Sequence, residues 1–353
     1  MTQQEYRDLQ AINCSMLLAL DSHPKYAEAM WKGTSEHKTG KHFDIGSAVD
    51  CLITRKADFR KEFVVLDVSI EPKMKEIADR YLEIKESTPF ELTEEVMVEK
   101  ARVDIGYQSK WKPETVFNKF KESATEYLTI AEANKDKTFL SKYEFELCQR
   151  LEGRFWSDPN IAKILWNPMD DIDHMIGEVH HYMQEAIVWG SEIKRKALLD
   201  LIVYKQDPYS TDSLYHVYPI DIKTYDSTQG SFLKNYYMYQ YYYQGAFYSE
   251  ALYFCNKFSL ESTVRKHILH PFLFIVLDKA EILPPLMYEL PNSHKMICTE
   301  GSNKVDFYLG DIKINNRHIT GINNLLNRAE WHIKKDKWEY PYEVYENGTL
   351  KIR

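Results

Sequence analysis

The chain reads as an α/β protein, a central mixed sheet flanked by helices, and three observations predict it. Residues 197–203 and 217–224 are apolar runs of strand length. Between them lie the turn-formers Lys205-Gln206-Asp207-Pro208-Tyr209-Ser210-Thr211-Asp212-Ser213, the pattern of an antiparallel hairpin. A helix-length segment follows at 231–254. A short continuous apolar run then occupies 271–277, as in a strand buried on both faces. With 353 residues, 44% of them apolar and 14% aromatic, the chain can bury a substantial core in a single domain covering 1–353.

Residues 10–32 have a helical pattern. Asn13 stands where an N-cap belongs, before Met16-Leu17-Leu18-Ala19-Leu20, and His23-Pro24 interrupts the run before Tyr26 to Trp31 resumes it. Residues 40–44 read as a polar turn. They lead into an apolar helix at 45–53, whose Gly46, Ser47 and Ala48 would let it lie close against a neighbour. From 71 to 155 the sequence is charged, mostly helical, and divided near Ser87-Thr88-Pro89 and Trp111-Lys112-Pro113, which predicts a helical insertion. Strand-like stretches at 178–183 and 185–189 precede the hairpin, so 178–280 holds the strands and helix around the charged positions discussed below. Residues 321–335 form an amphipathic helix. Asn347-Gly348, between 342–345 and 350–352, is a hairpin signal; with Thr349 it also matches a glycosylation sequon, to which little weight is given.

Lys plus Arg number 45 against 53 Asp plus Glu, a formal charge of -8, which argues against a protein that coats nucleic acid indiscriminately. A local basic groove remains compatible with that balance. Lys194, Arg195, Lys196 and Lys234 are candidate phosphate contacts, although such a triplet is equally a solvated strand entrance. The five cysteines, Cys14, Cys51, Cys148, Cys255 and Cys298, are scattered, odd in number and free of any CxxC pair. Neither a disulfide framework nor a zinc site is expected, and a reducing, cytoplasmic setting fits best. The start of the chain is polar, and no window approaches a membrane span. There is no Gly-x-Ser-x-Gly elbow and no Walker lysine loop. Asp170-Asp171-Ile172-Asp173-His174 with His180-His181 has metal-ligand composition in no ligating order, and reads as a solvated turn.

The hairpin runs carry charges. In a strand alternate residues share a face, so Asp221 and Lys223 point one way and Ile220 and Ile222 the other, with Asp200 on the adjoining arm. Charges in apolar strands are costly unless a cation or an opposite charge compensates them. Two carboxylates and a backbone carbonyl, that of Ile222, suit magnesium, which takes hard oxygen ligands. Lys223 would then stabilise charge building on a phosphate. The alternative is a plain Asp221–Lys223 ion pair closing a sheet edge. Downstream, Gln240, Gln244 and Tyr248 fall on one helical face, and the tyrosine run 236–243 is either core or, where exposed, able to stack on nucleic-acid bases.

Asp200, then Asp221-Ile222-Lys223-Thr224, then Gln244-x-x-x-Tyr248 resembles the RecB-type branch of the PD-(D/E)XK nucleases. The opening segment Ile12-Asn13-Cys14-Ser15-Met16-Leu17-Leu18 with Pro24-Lys25-Tyr26, and the stretch Gly46-Ser47-Ala48-Val49-Asp50, are similar to the start of exonuclease VIII-like (RecE-type) domains of phages and prophages. The likeness covers most of the chain and is thinnest across 71–155. It implies a restriction-endonuclease-like core. It also implies Mg2+-dependent hydrolysis of phosphodiester bonds from DNA ends, Mn2+ being able to substitute, 5′ to 3′ on duplex DNA in recombination or repair. A structure-specific or single-strand endonuclease, or a non-catalytic DNA-binding protein of the same fold, is the alternative.

By that resemblance Asp200, Asp221 and the Ile222 carbonyl hold the metal, and Lys223 supports the water and the transition state. Gln244 and Tyr248 position DNA. Asp50 stands where the family usually has a metal-binding His; aspartate is a harder oxygen ligand, so Asp50 either ligates or is structural. Glu185 resembles an acidic position near the metal, or faces solvent. Some relatives carry an iron–sulfur cluster on four cysteines, which the scattered five here do not supply. A homo-oligomer and a single-strand annealing partner are further implications.

Overall fold

A computed structural model of the chain describes residues 3–35, 41–68, 70–87, 92–107, 110–166, 179–207, 214–226, 229–255, 267–290, 297–298, 305–306, 312–314 and 317–349. They form two compact units, one of residues 1–56 with 148–353 and one of 57–147. The first begins with α1 (Gln3–Asp8), α2 (Cys14–Ser22) and α3 (Pro24–Trp31). Asn13 caps α2 by accepting the Met16 N–H at 2.8 Å, and Pro24 opens α3, as the sequence predicts. Next comes α4 (Lys41–Thr54), which takes in the residues that read as a polar turn. Asp44 sits in its first turn, where a carboxylate complements the helix dipole. A Cβ at Gly46 would stand 3.2 Å from Thr224 Oγ1, so the bare glycine lets α4 approach the strand that carries Thr224.

The second unit contains α5 (Phe59–Glu62), β1 (Phe63–Leu66), α6 (Pro72–Ser87), α7 (Glu94–Asp104), α8 (Pro113–Ala133) and β2 (Thr138–Ser141). Met74, Ile77, Tyr81, Val98, Phe120 and Tyr127 form a core of its own. Residues three and four apart meet on each helix face, which is why the charged sequence still folds. β1 and β2 pair in parallel, a ribbon the sequence does not announce because four-residue runs are too short to show a period. The unit therefore spans 57–147, not 71–155.

α9 (Lys142–Ser157) starts in the second unit and ends in the first, where the chain continues through α10 (Pro159–Leu165), β3 (Val179–Trp189), β4 (Arg195–Gln206), β5 (Tyr215–Tyr225), α11 (Gln229–Met238), α12 (Tyr241–Tyr253), β6 (His267–Leu269), β7 (Leu273–Asp278), β8 (Leu286–Glu289), α13 (Ile322–Lys335) and α14 (Tyr342–Asn347). The main sheet has the order β3-β4-β5-β7-β8, with β6 also beside β5. β3/β4, β4/β5 and β7/β8 are antiparallel, whereas β5 and β7 are parallel, with Asp221 opposite Phe274. The crossover that a parallel pair requires is supplied by α11 and α12. Every residue of β7 is buried, as a central strand covered on both faces must be. Phe232, Tyr242, Phe247, Phe274, Leu17 and Leu325 meet in the largest core, where full burial of each side chain contributes roughly 1.5–3 kcal/mol.

Two expectations give way. Residues 231–254 are two helices, with Gln240 in the left-handed region at φ 55 between them. In an unbroken helix Tyr236 and Tyr242 would stand about 120° apart around the axis; the break lets both enter one core with ring centroids 6.0 Å apart. Residues 342–347 are helix α14 rather than a hairpin arm. Gly348 at φ 72 ends it with its N–H on the Val344 carbonyl at 2.8 Å, so the Asn-Gly pair serves a helix stop instead of a hairpin turn. The expected second arm at 350–352, the 170–174 cluster and Cys298's side chain lie outside the described residues. Among the described residues no helix is long and apolar enough to cross a membrane.

Candidate active site

The β4–β5 ladder brings the two strand carboxylates together. Its last paired residues are Leu201 and Ile220, and one position further on Asp200 Oδ2 accepts the backbone N–H of Ile222 at 2.9 Å. Lys223 Nζ lies 2.6 Å from Asp221 Oδ2, so the alternation of β5 does put both on one face. Asp221 Oδ2 is buried, and the Lys223 ammonium is its charged counterpart. Asp221 Oδ1 is met by Gln244 Nε2 at 2.5 Å from α12. Asp221 is only 2% exposed, which is why each of its oxygens needs a counterpart.

Asp50, near the end of α4, completes the group through a residue the sequence did not single out. Gln184 Nε2 stands 3.1 and 3.0 Å from the two Asp50 oxygens and 3.5 Å from Asp200 Oδ1. Gln184 does this from a left-handed backbone, φ 49, inside β3 and opposite Asp200, where the ladder skips one pair without changing register. A non-glycine residue held there stores strain of order 1–3 kcal/mol, of the kind that concentrates at functional sites. Its only sequence signal is a polar residue within a strand run, beside Glu185. Glu185 pairs across the ladder with Leu199 and is half-buried. Arg55 Nη2 is 3.9 Å from Asp50 Oδ2.

The electrostatics follow from three carboxylates gathered beside few cations. Burial pushes the Asp50 carboxyl up to about 6, with Arg55 pulling against it and Asp221 adding to the rise. Asp200 is driven well above the usual carboxylate range by burial first, then by the charges of Asp221 and Asp50. Burial alone would lower Lys223, but Asp221 and Asp200 outweigh it and hold the ammonium protonated. The Lys223 ammonium lies 5.1 Å from the centre of the Tyr241 ring, whose hydroxyl accepts from Tyr225 at 2.7 Å. Tyr248, one turn beyond Gln244, is half-buried with its phenol raised by burial and by nearby Cys14, Tyr6, Asp221 and Asp200. Gln240 does not share their face, being the left-handed residue ahead of α12.

The basic triplet is arranged differently from the phosphate-contact reading. Arg195 pairs with Glu250 at 2.6 Å and Glu330 at 3.1 Å. Lys196 is buried, its Nζ donating to the carbonyls of Tyr6, Arg7 and Leu9 at 2.7, 3.2 and 2.6 Å. These two cations are thus spent on internal partners, and only Lys194 is exposed, its Nζ on the Gly190 carbonyl at 2.9 Å.

No family model matches the chain, and no curated protein matches it. A solved structure from Eubacterium rectale described as a "Putative exonuclease" is similar at 12% identity with TM-score 0.41, over 100% of this chain and 95% of that one.

Among the described residues, no three carboxylate, imidazole or thiol groups stand in a metal-ligating cluster. What does converge is three carboxylate oxygens, two from Asp50 and one from Asp200, around the single nitrogen of Gln184. An amide nitrogen has two hydrogens and cannot satisfy three oxygens at once. With Asp221 Oδ2, buried and facing the Lys223 ammonium, alongside, the donor set is hard oxygen, rich in negative charge, and suited to a divalent cation.

Proposed function

We propose that this chain is a divalent-cation-dependent deoxyribonuclease that hydrolyses phosphodiester bonds from DNA ends. The observation that carries the reading is the Asp200–Asp221–Lys223 arrangement across β4 and β5, joined by Asp50 through Gln184. Asp50, Asp200 and Asp221 would hold Mg2+ or Mn2+, with the Ile222 carbonyl as the expected fourth donor. A cation bound there supplies Lewis-acid polarisation of the phosphate and a more acidic water. Lys223, kept charged by its neighbours, neutralises charge that builds on the phosphoryl oxygens. Gln244, already on Asp221, fixes that carboxylate's orientation, and with Tyr248 would position the DNA strand.

The sequence resemblance to RecE-type exonucleases supports the finer assignment: duplex ends, 5′ to 3′ polarity and a role in recombination or repair. A ring-forming homo-oligomer and a single-strand annealing partner belong to the same proposal. The test is digestion of an end-labelled linear duplex, a nicked circle and a single strand, with Mg2+, Mn2+ or chelator. Linear duplex consumed from its ends only with a divalent ion, and spared by the Lys223→Gln variant that still binds DNA, is the expected result. Circles cut as fast as linear duplex would replace the exonuclease by an endonuclease. A wild-type protein inert with both ions would overturn the enzyme reading altogether.

A further inference from the structure

The surface of α11 and the turn after it leaves large side chains uncovered. Leu233, Tyr237, Met238 and Tyr239 are 45%, 38%, 53% and 52% exposed, in a helix whose other face buries Phe232 and Tyr236. Scattered exposed apolar residues are ordinary, but four within seven positions form a patch. Lys234 lies on the same helical side as Tyr237 and Met238, three and four residues on, and it pairs with no carboxylate among the described residues. The patch also continues into the carboxylate site. Tyr239 is 5.9 Å from Tyr241 between ring centroids, and Tyr241 is the ring beneath the Lys223 ammonium. Left-handed Gln240 ends α11 at this point and leaves Tyr239 in the exposed turn rather than in a continuous helix.

From this we infer that α11 and its turn form a ledge that grips an unpaired nucleic-acid strand, Tyr237 and Tyr239 stacking on bases and Lys234 pairing with a phosphate. The inference deepens the nuclease reading and rests on it for the choice of occupant. Two features argue for that occupant. Aromatic faces beside an exposed cation match the alternation of base and phosphate along one strand. The Tyr239 and Tyr241 rings lead to the Lys223 ammonium, where a phosphate would sit for hydrolysis. A duplex hides its base faces within the stack, so the ledge suits the strand after the end has frayed.

The test separates binding from cleavage by working in chelator with a labelled single-stranded oligonucleotide and a duplex bearing a short unpaired tail. The double variant Tyr237→Ser/Tyr239→Ser is expected to bind the single strand at least about tenfold more weakly than wild type. Lys234→Gln is expected to reduce the slope of log affinity against log salt by about 0.7. Circular dichroism of each variant confirms that the fold is kept, and Tyr237→Trp/Tyr239→Trp, which keeps the rings, should restore binding. Unchanged affinity in the well-folded serine variant overturns the ledge, as does a wild type that fails to bind the oligonucleotide. Conversion of a wild-type dimer to monomers by the same serine variant would also overturn it, in favour of a second copy as occupant. A wild type whose binding needs the ledge but which hydrolyses nothing with Mg2+ or Mn2+ upholds the ledge while removing the nuclease reading.

Discussion

Asp200 Oδ2 accepts the backbone N–H of Ile222 at 2.9 Å, one position past the last paired residues of the β4–β5 ladder. One oxygen of this carboxylate therefore has a structural task, and the other faces Gln184 and Asp50.

The two tasks can be separated by substitution. Asp200→Asn keeps an oxygen able to accept from Ile222 but removes the charge; Asp200→Ala removes both. Nuclease activity should fall by at least about 100-fold in either variant, the scale of loss of an electrostatic group at a reacting centre. Stability should diverge, because Ala leaves the Ile222 N–H without its acceptor at a cost of about 1–3 kcal/mol. Urea denaturation of the two variants measures the difference, and equal midpoints would show that the hydrogen bond contributes nothing.

Lys223 and Asp221 form a pair in which the carboxylate is 2% exposed and the ammonium side chain 22%. Removing one partner of a buried pair leaves an uncompensated charge and costs about 3–5 kcal/mol. Lys223→Met should therefore be destabilised by an amount toward that range. Adding Asp221→Asn should restore most of the loss, since the orphaned charge is gone and Gln244 can still pair with the new amide. Both variants should be inactive on linear duplex. A chemical-denaturation double-mutant cycle checks this, and additive losses would mean that the two side chains do not interact in solution.

How much of this was legible differs by residue. The Asp221–Lys223 pairing followed from the period of a strand, which is fixed by backbone geometry, and Asp200 opposite them followed from the turn-formers between two apolar runs. Asp50 was placed by resemblance alone. Gln184 could not be found because its role depends on a left-handed φ that no local propensity announces. Arg195 and Lys196 look like phosphate contacts in composition, yet Glu250, Glu330 and three carbonyls of the first helix region fold back to occupy them. The break at Gln240 was hidden for a related reason: helical periodicity continues on both sides of it, and only the common core of Tyr236 and Tyr242 requires the change of phase.

Gln184 offers a trade between stability and activity. Glycine adopts φ 49 without the steric penalty that a side chain meets, so Gln184→Gly should relieve strain of order 1 kcal/mol, offset in part by a more flexible unfolded chain. The same change deletes the amide that links Asp50 to Asp200. Activity should drop while thermal stability holds or rises. Gln184→Ala, which keeps a Cβ at the strained position and loses the amide, should lose activity and also be the less stable of the two. Thermal melts and end-labelled digestion measured side by side decide it; a glycine variant markedly less stable than the alanine one would refute the strain.

His332 should add to the acid sensitivity of the first unit. It is fully buried in α13, its Nδ1 is paired with the Lys337 carbonyl, and its ring stacks on Trp338 with centroids 5.2 Å apart. Burial lowers its pKa below the ordinary 6.5, outweighing the Lys337 carbonyl and Glu343, which favour the charged form. The unfolded chain then binds the proton first as pH falls, so the stability due to neutral His332 is complete above 6.5 and is lost on acidification from there toward the folded value. The slope contributed cannot exceed about 1.4 kcal/mol per pH unit. His332→Asn keeps a donor for the Lys337 carbonyl but cannot titrate. Its melting temperature should be lower than wild type at neutral pH, through lost packing, and should fall less steeply between about pH 6.5 and 5. Parallel slopes for the two proteins over that interval would show that His332 carries no part of the acid sensitivity.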